Sequence, residues 1–175
     1  MSANAPEPRV PEVLDAWRMV AARRQFEGVL PLSAMPRLRG SLVDDAGECR
    51  FRLAFDRDEV LRTPYVELEV EAALPLECQR TLRRFPFPVK TVQRLGLIRD
   101  EAEEAALPPG YEPLLVPADG MLRPADLVED ELVLAVPVVA LSPDSEAVAQ
   151  EWSAPQDETA AVSPFAALAA LKKPS

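Results

Sequence analysis

The clearest pattern in the chain is an alternation of apolar and acidic residues between Tyr65 and Cys78. The apolar positions are Val66, Leu68, Val70, Ala72, Leu74 and Leu76, and the acidic positions between them are Glu67, Glu69 and Glu71. Successive side chains of a strand point to opposite faces of a sheet. This period of two therefore predicts a long strand with one buried face and one acidic face.

Four further segments are typical of strands, and they are Phe26–Leu32, Leu38–Val43, Cys49–Phe55 and Phe85–Ile98. The second and third are predicted to be joined by a hairpin-type turn at residues 44–47. In the third, Arg50 and Arg52 occupy the polar face. We expect these arginines to pair with the glutamates of the long strand, because opposite charges on neighbouring strands attract each other.

Helical spacing of apolar residues predicts an amino-terminal helix at Pro11–Arg24 and an internal helix at Met121–Pro137. A third, amphipathic helix is predicted at residues 164–173, where Ser163 provides a cap and Pro164 a first turn. The sequence therefore predicts an α+β fold. Its main layer is a mainly antiparallel sheet, either open or closed into a partly open barrel, with an amino-terminal helix, an internal helix and a carboxyl-terminal helical tail.

The same patterns predict how the chain is divided. Residues 1–10 are expected to be a disordered leader, and residues 11–141 a single α+β domain. Residues 142–163 have little periodicity and are rich in proline, acidic and small residues, which is typical of a flexible acidic linker. The helix at residues 164–173 would then be a tethered docking segment.

Composition narrows the possible functions. The chain has no histidine and only two cysteines, so a catalytic imidazole or a Cys/His metal centre is excluded. Neither a membrane-spanning segment nor a signal peptide is recognisable, and we expect a cytoplasmic protein with reduced cysteines. The net charge of −10 is uneven, because residues 1–100 carry 16 basic and 15 acidic side chains, whereas residues 101–175 carry 3 and 14.

Residues 79–99 contain six basic side chains and no acidic one. Such a segment is either a binding surface or an edge whose charges are solvated or paired within the protein. As a binding surface it would hold RNA phosphates, with two phenylalanines stacking on unpaired bases. The candidate RNA-binding or partner-binding residues are Arg80, Arg83, Arg84, Phe85, Phe87, Lys90 and Arg94.

A second candidate surface lies on the internal helix, where Asp126, Glu129 and Asp130 are predicted to face solvent together. Such an acidic face suits a basic protein partner without RNA contact. Clustered carboxylates also occur in metal-dependent hydrolases. That alternative is disfavoured because the chain lacks histidine, a glycine-rich phosphate loop and a nucleophile motif.

Three groups of residues resemble one known family. They are Leu74-Pro-Leu-Glu-Cys-Gln-Arg, then Leu107-Pro-Pro-Gly-Tyr-Glu-Pro with Leu127-Val-Glu-Asp-Glu-Leu-Val-Leu-Ala-Val-Pro-Val-Val, and Pro164-Phe-Ala-Ala-Leu-Ala-Ala-Leu-Lys. Their order and spacing are similar to those of the YceD family, the large ribosomal RNA subunit accumulation proteins. The resemblance implies a cytoplasmic, non-enzymatic factor for synthesis, processing or stability of 23S ribosomal RNA, associated with that RNA or a basic ribosomal protein, and not with DNA or a membrane.

The resemblance also bears on metal binding. Many members carry Cys-x-x-Cys near the first motif and a further histidine or cysteine after the Pro-Val-Val segment, a spacing typical of zinc ligands. This sequence keeps Cys78 but has Thr81 in the second position. After Val139 it offers Ala140, Leu141, Ser142 and Asp144, with no histidine or cysteine. We therefore expect no metal and no other cofactor, and we interpret Cys78 as a remnant of the family motif.

Overall fold

The computed structural model describes residues 10–145. The chain divides into two compact units, Met1–Ser142 and Pro143–Ser175, and every element described below belongs to the first. The predicted leader, apart from residue 10, lies outside the described residues, as do most of the predicted linker and the predicted helix at residues 164–173. Within residues 10–145, no helix has the length and apolar content needed to cross a membrane.

Seven strands and three α-helices make up the described part of the chain. The strands are β1 Leu14–Asp15, β2 Gln25–Pro31, β3 Glu48–Arg57, β4 Pro64–Glu77, β5 Arg84–Ile98, β6 Glu112–Leu115 and β7 Met121–Leu122. The α-helices are α1 Ala16–Ala21, α2 Pro36–Arg39 and α3 Pro124–Ala135. Short 3₁₀ helices occupy Leu32–Ala34 and Glu101–Ala106.

The main sheet has the strand order β2-β3-β4-β5-β6. All neighbours are antiparallel except β5 and β6, which are parallel, and β1 pairs with β7 in a separate two-stranded sheet. The main sheet is open, with β2 and β6 at its edges. The predicted α+β class with a mainly antiparallel sheet is confirmed.

Strand β4 lies at the centre of the main sheet and its two faces differ as the alternation predicts. The apolar set from Val66 to Leu76 is buried and packs against the helices. The glutamates occupy the opposite face, which we call the polar face of the sheet. There Glu71 lies opposite Arg50, and Glu69 lies opposite Arg52, so the predicted cross-strand pairing is observed.

The polar face carries charges whose sign alternates from strand to strand. Arg52 on β3 forms ion pairs with Glu27 on β2, at 3.9 Å, and with Glu69 on β4. On the far side of β4, Arg94 of β5 pairs with Glu67 at 3.0 Å. Charged side chains on neighbouring strands therefore neutralise each other on this face.

The predicted strand Leu38–Val43 is wrong, because helix α2 and a turn occupy this region. Pro36 stands in the first turn of α2, where its missing N–H group is not needed. The start of the helix is completed by Glu129, which is distant in sequence and accepts hydrogen bonds from the backbone N–H groups of Arg37 and Leu38.

The predicted amino-terminal and internal helices are present but begin later than the periodicity predicts. Asp15 caps α1 by accepting a hydrogen bond from the backbone N–H of Arg18, and Leu14 and Asp15 pair with β7. Similarly, Met121 and Leu122 form strand β7, so α3 begins only at Pro124. Local periodicity did not distinguish these two-residue strands from the helices that follow them.

Replacing Arg52 with glutamate tests the charge alternation. The change removes the ion pairs with Glu27 and Glu69 and places three carboxylates side by side, so we expect the free energy of unfolding to fall by about 1–2 kcal/mol. Urea unfolding followed by circular dichroism measures this fall. The double change Arg52→Glu with Glu69→Arg restores an opposite-charge pair and should recover part of the loss. An unchanged unfolding midpoint for Arg52→Glu would contradict the expected coupling.

Candidate functional site

The basic segment begins with a tight turn, Cys78–Arg83, that joins β4 to β5. The backbone N–H of Cys78 donates to the carbonyl oxygen of Arg83 at 2.9 Å, and the N–H of Leu82 donates to that of Cys78 at 2.8 Å. Leu82 has a φ of 54°, in the left-handed region that a non-glycine residue adopts only when its surroundings require it. The turn is therefore closely defined by its own backbone.

The turn at the other end of β4, Asp58–Thr63, has the same hydrogen-bonding pattern. The N–H of Asp58 donates to the carbonyl of Thr63 at 2.9 Å, the N–H of Arg62 donates to that of Asp58 at 3.0 Å, and φ of Arg62 is 59°. In this turn the carboxylate of Asp58 accepts hydrogen bonds from the N–H groups of Val60 and Leu61. An anionic first residue thus caps the turn.

Cys78 takes the place of that aspartate in the basic turn. Its side chain is fully buried. Burial raises the pKa of the Cys78 thiol. Hydrogen bonds from the side chains and backbone of Ser142 and Thr81 lower this pKa by more than burial raises it, and the resulting pKa is about 6. The other cysteine, Cys49, lies in the core, where burial raises its pKa to about 11. The two cysteines thus differ, because hydrogen bonds lower the pKa of Cys78 whereas burial raises the pKa of Cys49.

The segment after α3 is fastened to the basic turn by Gln79. Its backbone N–H donates to the carbonyl of Ala140 at 2.9 Å, and its side-chain amide donates to the carbonyl of Val138 at 3.3 Å. These bonds bring Ser142 beside Cys78. Cys78, Thr81 and Ser142, which is one of the residues after the Pro-Val-Val segment, therefore meet in space, and two of the three carry hydroxyl groups.

A metal site needs several ligands of suitable chemistry in one place. Within residues 10–145, no group of three or more histidine, cysteine, aspartate or glutamate side chains is arranged to hold a metal ion. At Cys78 the donors available are one thiolate and neutral hydroxyl groups, whereas structural zinc requires four ligands, chiefly thiolates and imidazoles. Hydrogen bonds from Ser142 and Thr81 reach Cys78 in this arrangement.

The candidate basic residues do not form one continuous surface. Arg80 and Arg83 lie in the turn, and both are exposed. Arg84, Lys90 and Arg94 lie on the polar face of β5. There each has an acidic partner within the domain: Asp44 for Arg84 at 2.5 Å, Glu71 for Lys90 at 3.6 Å and Glu67 for Arg94 at 3.0 Å. The hydrogen bonds from Arg84 hold the pKa of Asp44 below its ordinary value. Arg83 lies in the turn, apart from this ladder of ion pairs.

The two candidate phenylalanines point to the other side of the sheet. Phe85 lies opposite Leu76 and is only 8% exposed, whereas Phe87 lies opposite Leu74 and is half-buried against the core. Because side chains alternate along β5, neither shares a face with Arg84. The predicted cluster of phenylalanines and arginines is therefore divided, and Phe85 is a core residue without a surface for base stacking.

The predicted acidic face of α3 is also divided. Glu129 is only 4% exposed and accepts hydrogen bonds from the backbone N–H of Arg37 at 2.6 Å and from its Nε at 3.1 Å. Asp130 pairs with the same arginine, and Asp126 lies 3.8 Å from the guanidinium of Arg123. The prediction that these three carboxylates face solvent together is wrong for Glu129, because α2 covers it.

Sequence reasoning did not identify two interior roles. Glu131 is buried and accepts a hydrogen bond from the hydroxyl of Thr91 at 2.9 Å, which joins α3 to β5. The role of Cys78 as a counterpart of Asp58 was also missed. A signal for it exists in the sequence, because each residue directly follows a long alternating segment.

Comparison with known proteins finds a matching family model and matching curated proteins, one of which is described here. A family model described as "Large ribosomal RNA subunit accumulation protein YceD" matches residues 66–172. A curated protein of Haemophilus influenzae with the same description is 27% identical over 173 residues, which cover 94% of this chain and 97% of that protein. No solved structure matches. The region matched by the family model includes both the basic turn and α3.

The thiolate form of Cys78 predicts a pH-dependent stability. The folded-state pKa, about 6, lies below the ordinary value of 9.0, so stabilisation by the thiolate is complete above about pH 9 and is lost as the pH falls through about 6. The chain has no histidine that would titrate in this window. Unfolding at several pH values should show this decrease, and Cys78→Ser should lack it. A folded protein without the ultraviolet absorbance of a thiolate at neutral pH would contradict the assignment.

Replacing Glu129 with glutamine tests its buried role. Glutamine keeps the shape but removes the charge that accepts bonds from Arg37, so we expect a loss of about 2 kcal/mol in the free energy of unfolding. The matched control is Asp126→Asn, which removes an exposed carboxylate of the same helix and should change stability by less than about 0.5 kcal/mol. Equal effects of the two changes in chemical denaturation would show that burial of Glu129 is not important for stability.

Proposed function

Because this chain belongs to the YceD family of large ribosomal RNA subunit accumulation proteins, we propose that it is a non-enzymatic, cytoplasmic factor of ribosome biogenesis. Its role is to support the synthesis, processing or stability of 23S ribosomal RNA. The family resemblance of the sequence motifs is confirmed by the match to residues 66–172. The name of the Haemophilus influenzae relative, a large ribosomal RNA subunit accumulation protein, supports the same role.

The turn Cys78–Arg83 is the part of the proposed RNA-binding surface that its geometry supports best. Arg83 is exposed at the end of a turn whose backbone is fixed by hydrogen bonds, and Leu82 beside it is 71% exposed. A fixed turn loses little conformational entropy when it contacts a ligand. A guanidinium presented in this way suits a phosphate oxygen of RNA, with Arg80 as its neighbour in the same turn.

The remaining basic candidates have a weaker claim to direct RNA contact. Arg84, Lys90 and Arg94 each form an ion pair within the domain, so a phosphate would have to compete with an existing carboxylate. The acidic alternative, in which α3 holds a basic ribosomal protein, keeps only Asp126 and Asp130 as exposed carboxylates. Both already pair with arginines of the same domain. These pairings are why we favour Arg83, which forms no ion pair within the described residues.

Charge reversal at Arg83 tests the proposed contact. We expect Arg83→Glu to weaken binding of transcribed 23S ribosomal RNA and to reduce the slope of log affinity against log salt by about one, because one phosphate contact is lost. Filter binding over a salt series measures both quantities. The control is Arg62→Glu, which makes the same charge change in the equivalent turn at the other end of β4 and should leave the slope unchanged.

The effects of Arg83→Glu and Arg62→Glu can also be compared in cells. Under the proposal, a strain that relies on Arg83→Glu accumulates less 23S ribosomal RNA relative to 16S ribosomal RNA than one that relies on Arg62→Glu. Equal RNA binding and equal accumulation for both variants would reject the turn as the RNA contact. If Asp126→Lys instead abolished the binding of a large-subunit ribosomal protein to this chain, the alternative in which α3 holds a basic ribosomal protein would be favoured.

A further inference from the structure

The fifth strand is covered on its outer side for only part of its length. Strand β5 pairs with β4 along thirteen consecutive positions, from Arg84 to Gly96. On its other side, β6 pairs only with Leu95–Ile98. Among the described residues, no strand lies beside residues 84–94 on that outer side. The sheet thus has an open edge next to the end of β6.

The hydrogen-bonding groups at this edge belong to the even-numbered residues of β5. The carbonyl of Ile98 accepts a hydrogen bond from the N–H of Val116 at 2.8 Å and so points outward, away from β4. Backbone groups alternate in direction along a strand, so those of Lys90 and Val92 also point outward. The pairing of Pro75 with Pro86 agrees with this assignment, because two prolines have no N–H to exchange.

Lys90 and Val92 are the positions where this edge can both donate and accept. Within residues 10–145, no hydrogen bond occupies the backbone N–H or C=O of either residue. Val92 is 56% exposed. Earlier on the same edge, Pro86 and Pro88 have no N–H groups, and proline is a common means of protecting a sheet edge. The open part therefore begins where the prolines end.

The polar face indicates which charge an added strand would carry. Arg52 on β3 has an acidic strand on each side, through Glu27 and Glu69. Within residues 10–145, the ion pairs of Lys90 and Arg94 on β5 are formed only with glutamates of β4. A strand added beside β5 would continue the alternation of sign if it placed carboxylates next to these two residues and an apolar side chain next to Val92.

We propose that the open edge of β5 at Lys90–Val92 binds an extended acidic segment of a partner protein as an additional strand. The segment carries acidic, apolar and acidic side chains at alternate positions on the polar face. Its backbone bonds to Lys90 and Val92, and its carboxylates lie beside Lys90 and Arg94 on the side away from Glu71 and Glu67, as Glu27 and Glu69 lie on the two sides of Arg52. This mode of recognition combines main-chain hydrogen bonds with side-chain specificity. It is separate from the RNA contact proposed for the turn and does not depend on it.

A second copy of this chain fits the edge less well. Antiparallel pairing of two β5 strands centred on Val92 would place Lys90 of one copy opposite Arg94 of the other. Like charges directly opposite each other destabilise a strand pair. An acidic segment meets no such repulsion, which is why we commit to it as the occupant.

A short peptide with this pattern tests the proposal on the full chain. The probe is an end-blocked peptide, Thr-Glu-Thr-Val-Thr-Glu-Thr, whose symmetric pattern fits the edge in either strand direction. We expect its addition to shift the amide resonances of Lys90 and Val92 in ¹⁵N-correlated NMR spectra. The same peptide with N-methyl groups at alternate backbone positions, or with lysine in place of glutamate, should bind at least tenfold more weakly.

Two valines provide a matched pair of variants. Val92 lies on the open edge of β5, and Val29, which is 51% exposed, lies on β2 at the opposite edge of the sheet. The N–H of Val29 also points outward. The carbonyl of Arg24 points toward β3, where it accepts a hydrogen bond from the N–H of Phe55, and backbone groups of odd-numbered residues therefore point the other way. Val92→Pro should lower the peptide affinity at least tenfold, whereas Val29→Pro should not change it.

Four results would overturn the proposal. The first is the absence of shifts at Lys90 and Val92 at millimolar peptide. The second is equal binding of the acidic and lysine peptides. The third is shifts at these amides caused by an oligouridine but not by the acidic peptide, which would make the edge an RNA surface. Dimerisation of the chain that Val92→Pro abolishes would likewise replace the acidic segment with a second copy. The peptide comparisons on the unaltered chain keep the test decisive if Val92→Pro fails to fold.

Discussion

The alternation along β4 constrains both faces of the sheet at once. Its apolar residues pack against the helices, and its glutamates hold the basic residues of β3 and β5 in register. A shift of pairing by one residue would move the glutamates into the core and Val66, Leu68 and their neighbours into solvent. The charge pattern and the hydrophobic pattern therefore specify the same register, and the neighbouring strands depend on it.

The sequence predicts those parts of the fold that depend on local periodicity. The strands around Val70 and Val89 were recognisable because a period of two extends over many residues in each. Helix α2 was not recognisable, since its first N–H groups are satisfied by Glu129, which lies 92 residues from Arg37 in the sequence. For the same reason Glu129 resembled a surface carboxylate. A cap that comes from another element leaves no periodic signal.

The candidate site shows the same limit of sequence-based reasoning. The charges of the basic segment were evident, but their partners were not, because Asp44 lies 40 residues from Arg84 and Glu67 lies 27 residues from Arg94. The alternation of side chains along β5 already implies that Phe85 and Arg84 lie on opposite faces of the sheet. The prediction treated the segment as one cluster and overlooked this. The absence of metal ligands at Cys78 was readable from composition, whereas the capping role of its sulfur required the backbone geometry.

The length of β4 determines how independent its two turns can be. The turns at Asp58–Thr63 and Cys78–Arg83 are separated by a strand of 14 residues, which spans roughly 45 Å at about 3.3 Å per residue. That distance exceeds the Debye length at physiological salt, about 8 Å, several times over. The strand thus acts as a rigid spacer, and the field of a charge placed in one turn is screened before it reaches a ligand bound at the other turn.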